Sequence, residues 1–174
     1  MLKILRLVIL SLFFFYNASS EVLKIFEFTE EELKSLEVRK IKGETLWSVG
    51  GNQNGNYLKA EANAVASGLG KEINIDLNKT PFLNITWKVE KDLKGIIENS
   101  KKGHDYAARV FVIKKTGATP LSNRALNYVF SSNNDIDQNW FSPYTKKSVD
   151  YILSTTKRHL NEWVTVKVNI KEHF

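Results

Sequence analysis

The sequence predicts an all-β protein, an antiparallel β-sandwich with at most one short helix. Three observations carry this reading. Short segments alternate apolar and polar side chains, those segments are rich in β-branched and aromatic residues, and turn-forming residues separate them at fairly regular intervals. Alternation with period two turns one face of a strand to a core and the other to solvent, the pattern of a two-sheet sandwich.

The first twenty residues stand apart from this pattern. Lys3 and Arg6 precede an apolar run from Leu7 to Tyr16, and the small polar segment Asn17-Ala18-Ser19-Ser20 follows. That order is the layout of a secretory signal peptide, with cleavage expected near Ser20 and a single domain expected over residues 21–174. The apolar run is short for a bilayer, which needs about 20 residues, so no membrane span is expected after cleavage. An uncleaved anchor is the alternative.

Along the remaining chain the candidate strands are Val22 to Phe28, Leu46 to Val49, Tyr57 to Ala62, Glu72 to Leu77, Phe82 to Val89, Tyr106 to Lys114, Arg124 to Ser131, Val149 to Ser154 and Trp163 to Ile170. Only Thr29 to Leu36 reads as a helix, because Thr29 and Glu32 have the spacing of a capping box. Gly50 to Asn56, with its Gly-Gly and Asn-Gly pairs, supplies the positive φ angles of a hairpin. Thr116 to Pro120 is a second turn. Lys91 to Gly103 and Ser132 to Gln138 are too long and polar for tight hairpins and read as loops over a binding face. Trp47, Trp87 and Trp163 lie within strand patterns and are expected in the core.

Composition narrows the class. The 174 residues contain no Cys, which excludes disulfides and thiolate metal sites and suits a bacterial periplasm among exported compartments. The formal charge is +6, of which Lys3 and Arg6 belong to the signal segment. Among the other basic residues are the pairs Lys101-Lys102, Lys114-Lys115, Lys146-Lys147 and Lys157-Arg158. Such pairs at strand ends either guard sheet edges or form a surface for an anionic polymer. Nucleic acid is not an expected partner of an exported protein.

The stretch from Gly103 to Val112 is the most informative for chemistry. At period two Asp105, Ala107, Arg109 and Phe111 share a face, and Tyr106 is expected opposite them with Ala108, Val110 and Val112 as core. A guanidinium among apolar neighbours is costly to desolvate unless a carboxylate or ligand meets it. Asp105 and Arg109 therefore form either a structural ion pair or an anchor for a carboxylate or sugar hydroxyls. Of His104, His159 and His173, only His104 beside Asp105 is a candidate acid or base, and none has a partner at metal-ligand spacing.

A second constellation is Trp140, Phe141, Pro143 and Tyr144, in a segment too rich in Asn, Ser and Pro to read as a strand. Trp140 and Tyr144 are either exposed rings on which a sugar face stacks or plugs for the end of the sandwich. Asn127, Asn133, Asn134, Asp135 and Asp137 could bond the sugar hydroxyls. Asp135 and Asp137, with Asn133 and Asn134, are spaced as a calcium site would need but lack the glycine and terminal glutamate of an EF-hand, so they read as a polar turn, and no metal or cofactor is expected. Nucleophile elbow, phosphate loop and zinc-protease motifs are absent from the sequence.

Several segments, taken in order, resemble one known pattern: Leu58 to Ala62, Ala66 to Leu69, Pro81 to Val89 with Trp87, Asp105 to Val112, Leu126 to Phe130, and Trp140 to Thr145. The chain resembles the bacterial family called domain of unknown function 3047, from about Phe26 to the C-terminus. The resemblance implies a sandwich like the jelly-roll, galactose-binding-like domains that often bind sugars, and it carries no activity and no catalytic residues. It also implies a further strand beyond Phe174, so the family's C-terminal end is expected to be missing.

The leading expectation is a non-catalytic, periplasmic or secreted module binding a glycan or another envelope component. Asp105, Arg109 and Asn127 would anchor polar groups, and Trp140 and Tyr144 would provide stacking. The alternatives are an enzyme acting on polysaccharide, with His104 or a carboxylate as acid or base, and a structural or partner-binding envelope protein.

Overall fold

The computed structural model describes residues 22–174, and the expected signal segment lies outside the described residues. The fold is all-β, with ten strands and only short helices among the described residues. No described helix is long and apolar enough to cross a membrane. The chain divides into two compact units, one ending at Glu72 and the other running from Ile73 to Phe174.

In the first unit, helix α1 (Glu30–Ser35) begins where the capping box places it. Thr29 Oγ1 accepts a hydrogen bond from the Glu32 N–H at 3.1 Å. The Glu32 carboxylate reaches back to the N–H groups of Phe28 and Glu27 at 2.7 and 2.8 Å. Strand β1 (Glu37–Lys42) pairs antiparallel with β4 (Ala66–Gly70), and β2 (Leu46–Asn52) with β3 (Gly55–Glu61). The β2–β3 hairpin turns where the glycines and asparagines predict, with Gly55 at φ +114°. The Ser67 hydroxyl accepts from the Thr45 N–H at 3.0 Å and from the Trp47 indole at 3.3 Å, tying the start of β2 to β4.

Two expected strands are absent from the structure, and two unexpected ones are present here. Val22 to Phe28 is irregular: Phe28 takes φ +53° to turn the chain into α1, and the rings of Phe26 and Phe28 stack on each other at 5.5 Å. Glu72 to Leu77, at the boundary between the units in the chain, is not assigned as a strand and leads into a turn in which Asp76 Oδ1 accepts from the Asn78 N–H at 2.9 Å. Strands β1 and β4 escaped the pattern because β1 is exposed along its whole length and β4 contains two glycines.

The second unit holds the sandwich. Strand β5 (Phe82–Trp87) pairs antiparallel with β10 (Val164–Asn169), and a four-stranded sheet runs in the order β6 (Ala108–Lys114), β7 (Arg124–Ser131), β9 (Thr145–Thr155), β8 (Asn139–Ser142). Ile85, Trp87 and Val168 of the first sheet pack with Leu126, Tyr128 and Phe130 of β7 in one core. The Trp87 indole donates to Ser154 Oγ at 3.0 Å, so this large ring is buried with its polar atom satisfied. Trp163, expected in the core, is instead 43% exposed just before β10.

Among the described residues all strand pairs are antiparallel except β7 with β9, which run parallel at the centre of the four-stranded sheet. The segment judged too polar for a strand supplies β8, joined to β9 by a turn at Pro143-Tyr144. Helix α2 (Thr156–His159) follows β9, and α3 (Ile170–His173) follows β10. His173 stacks on Tyr151 at 4.2 Å, and its Nδ1 lies 2.9 Å from the Tyr128 hydroxyl. Burial pushes the Tyr128 hydroxyl up and the His173 imidazole down, so a neutral phenol meets a neutral ring there.

Phe130 is wholly buried and Ile113 is 52% exposed. Phe130→Ala is expected to lower the stability measured by chemical denaturation by about 3–5 kcal/mol, and Ile113→Ala by less than about 1 kcal/mol. Equal effects would show that the two sheets do not share this core.

Candidate functional site

Leu126, Tyr128 and Phe130 face the sandwich core, so the alternate residues of β7, Asn127 and Val129, point to the opposite face of the sheet. The register continues this face across the sheet: Phe111 lies opposite Asn127, Asn127 opposite Asp150, and Asp150 opposite Trp140. The chain between β5 and β6 returns over the face, where Tyr106 packs with Val129, Ile152 and Trp140.

At the centre is Asp150, whose side chain is 0% exposed. His104 Nε2 lies 2.7 Å from Asp150 Oδ2, the Tyr106 hydroxyl donates to the same oxygen at 3.1 Å, and Asn127 Nδ2 donates to Oδ1 at 2.7 Å. Burial pushes the Asp150 carboxyl up, but the bonds from His104 and Asn127, the charge of His104 and the Tyr106 hydroxyl outweigh it and hold the group below its usual range. The phenol of Tyr106 is driven the other way, by its burial and by the neighbouring carboxylate, and stays a donor. Because Nε2 is engaged with Asp150, the ring's second nitrogen, Nδ1, is the one without a hydrogen bond among the described residues.

A second buried carboxylate fixes the loop that carries His104. Glu98, 1% exposed, accepts from the Ser131 hydroxyl, from the Ser132 N–H at 2.8 Å and from Asn134 Nδ2 at 2.6 Å. Asn133 Nδ2 donates to Leu93 O at 2.8 Å, and Leu93 N–H donates to Ser132 Oγ at 2.8 Å. Gly103 then lets the loop close on itself: a Cβ there would lie 2.6 Å from the Ile97 carbonyl oxygen, a backbone atom that cannot swing aside.

Arg109 lies beside this cluster. Its Nη2 donates to the His104 carbonyl at 3.0 Å and lies 3.6 Å from Asp105 Oδ1. The guanidinium sits over the rings of Tyr106 and Phe111, at 4.8 and 5.9 Å from their centroids. Tyr144, 64% exposed, meets the His104 ring edge-on at 5.5 Å and donates its hydroxyl to Lys101 O at 2.7 Å.

Of the sequence-predicted residues, Asp105, Arg109 and Tyr144 thus surround His104 at one surface. Asn127 is corrected: it is 0% exposed and spent on Asp150, so it supports the site from beneath. Trp140 is half-buried against Tyr106, and its Nε1, like Asn127 Oδ1, makes no hydrogen bond of good geometry among the described residues. Tyr106 is corrected too. It packs on the same face as Arg109, because β6 begins only at Ala108 and the period-two alternation does not extend back through residues 104–107. Asn133 and Asn134, read as sugar ligands, serve Glu98, and Asp135 lies 3.6 Å from Lys157 Nζ.

Sequence reasoning missed Asp150 and Glu98. For Asp150 a signal existed, a charged residue inside the apolar run Val149 to Leu153. Glu98 lies in a polar loop and had none.

Fold and site together define an all-β sandwich protein with a buried His–Asp pair beneath an aromatic, guanidinium-bearing face. The family model described as protein of unknown function (DUF3047) matches residues 31–174, and the chain belongs to that family. No curated protein and no solved structure matches the chain.

The carboxyl of Asp150 is lowered in the fold, so its contribution is complete above the unfolded carboxyl range, near pH 4, and is lost as pH falls further. Asp150→Asn is therefore expected to cost about 3 kcal/mol at neutral pH and to flatten the loss of stability between about pH 5 and 2. Denaturation curves that fall in parallel for both proteins over that range would remove Asp150 from this role.

Proposed function

We propose that the protein is a non-catalytic binding module for a glycan or another envelope component, acting in the periplasm or outside the cell after removal of residues 1–20. One observation supports this most. The rings of Tyr144, His104 and Phe111 and the guanidinium of Arg109 meet at one surface over a buried hydrogen-bonded base. Rings offer the apolar C–H face of a sugar a flat partner, while the guanidinium fork meets its polar groups. Because the supporting bonds are already made, little ordering cost is left for binding.

The second reading is an enzyme acting on polysaccharide. The 2.7 Å contact of His104 Nε2 with Asp150 favours it, since a carboxylate that fixes one nitrogen orients the other for proton transfer. Under this reading purified protein releases new chain ends from a polysaccharide, and His104→Ala abolishes the release.

Under the binding reading, thermal unfolding against a panel of envelope polysaccharides shows a rise in midpoint with at least one of them, because only the native state binds. Tyr144→Ala is expected to abolish that rise while leaving the unliganded midpoint nearly unchanged, as the side chain is exposed. A panel that shifts nothing would sink the glycan reading in favour of a protein partner.

A further inference from the structure

We propose that the glycan taken by this face is acidic, with a sugar carboxylate seated on Arg109; the inference rests on the binding reading above. The guanidinium is a quarter exposed and already aimed. The His104 carbonyl holds one Nη2–H at 3.0 Å, and the rings of Tyr106 and Phe111 fix its plane. Among the described residues no other hydrogen bond engages the fork. A planar fork with unused parallel donors matches a planar carboxylate in a way that a lone ammonium does not.

The surroundings carry the same sign. Lys101 and Lys102 are exposed in the loop that closes on Tyr144, and Lys146 is exposed in the strand that follows it. Asp105 is the opposing charge. Its Oδ1 accepts from the Tyr106 N–H at 2.9 Å and stays 3.6 Å from Arg109, beyond hydrogen-bonding distance, with the side chain 69% exposed. It occupies the neighbourhood of the fork without closing it. A carboxylate-bearing ligand would take the inner position, and Asp105 would then oppose it as a like charge.

That opposition separates a ligand anchor from a structural ion pair, because the two roles make Asp105→Asn move in opposite directions. The probe is polygalacturonate, with its methyl-esterified form as the uncharged control and dextran sulfate as the control for charge alone, each titrated by calorimetry at low salt. Polygalacturonate is expected to bind at least about tenfold more tightly than its methyl ester. Arg109→Lys is expected to weaken it by about tenfold despite keeping the charge. Asp105→Asn is expected to tighten it about threefold, an effect that shrinks as salt is added. Circular dichroism establishes that each variant is folded, and the Asp105→Asn arm stands even where Arg109→Lys does not fold.

Equal binding of polygalacturonate and its methyl ester would overturn the acidic ligand and leave the glycan reading intact. No binding of polygalacturonate beside a shift with a neutral polysaccharide would do the same. Dextran sulfate binding as tightly, with no loss in Arg109→Lys, would reduce the site to unspecific charge. Weaker binding in Asp105→Asn would return the pair to a structural role.

Discussion

The structure around the candidate site depends on one constraint: the carboxylate of Asp150 is wholly buried on a central strand. A charge removed from water costs several kcal/mol unless donors replace its hydration. None of the three donors it has comes from its own strand. Asn127 arrives from the neighbouring β7, and His104 and Tyr106 from the long segment between β5 and β6. Meeting the charge therefore brings that segment down over the sheet. Glu98 repeats the device midway along the same segment, drawing Ser131 to Asn134 around a second buried carboxylate. What would otherwise be a solvated face becomes a covered one, and the side chains at the margin of the cover, Arg109 and Tyr144, are left at the surface.

Much of the fold was legible in the sequence. The helix was marked by Thr29 and Glu32, the first hairpin by its glycines and asparagines, and β7 by an apolar run whose bounds coincide with the strand. What failed did so for identifiable reasons. Strand β1 gains pairing without burying a face, so it carries no hydrophobic alternation. Strand β8 is four residues long, and its turn chemistry dominates its composition. The parallel pairing of β7 and β9 leaves no local trace, since it is set by which strand the β8–β9 hairpin docks against.

The site was legible in part for the same reason. Arg109 stood out because a guanidinium within an apolar strand demands a partner, and the pattern named Asp105. The structure gives Arg109 a carbonyl as its hydrogen-bond acceptor and two rings beside its plane, with Asp105 3.6 Å away at the rim. The amide of Asn127 reads as a surface ligand and lies instead beneath the surface, because sequence tells that a residue is polar but not whether its partner is solvent, ligand or a neighbouring strand. A polar residue in an apolar strand is as good a signal for Asp150 as for Arg109. It was the mutual relation of the two, on strands separated by a stretch of chain no pattern spans, that required coordinates.

The parallel β7–β9 pair has a consequence for the order in which this molecule can be made. An antiparallel hairpin such as β8–β9 closes locally, whereas a parallel pair must wait for the intervening chain to cross over, and such distant pairings form slowly. Asn127 and Asp150 come from the two strands of that pair, and Trp140 from the hairpin that completes the sheet. No partly assembled chain that lacks the parallel pair holds the Asn127–Asp150 bond on which His104 rests. The candidate site is therefore a late product of assembly, and a chain that displays it has already finished its central sheet.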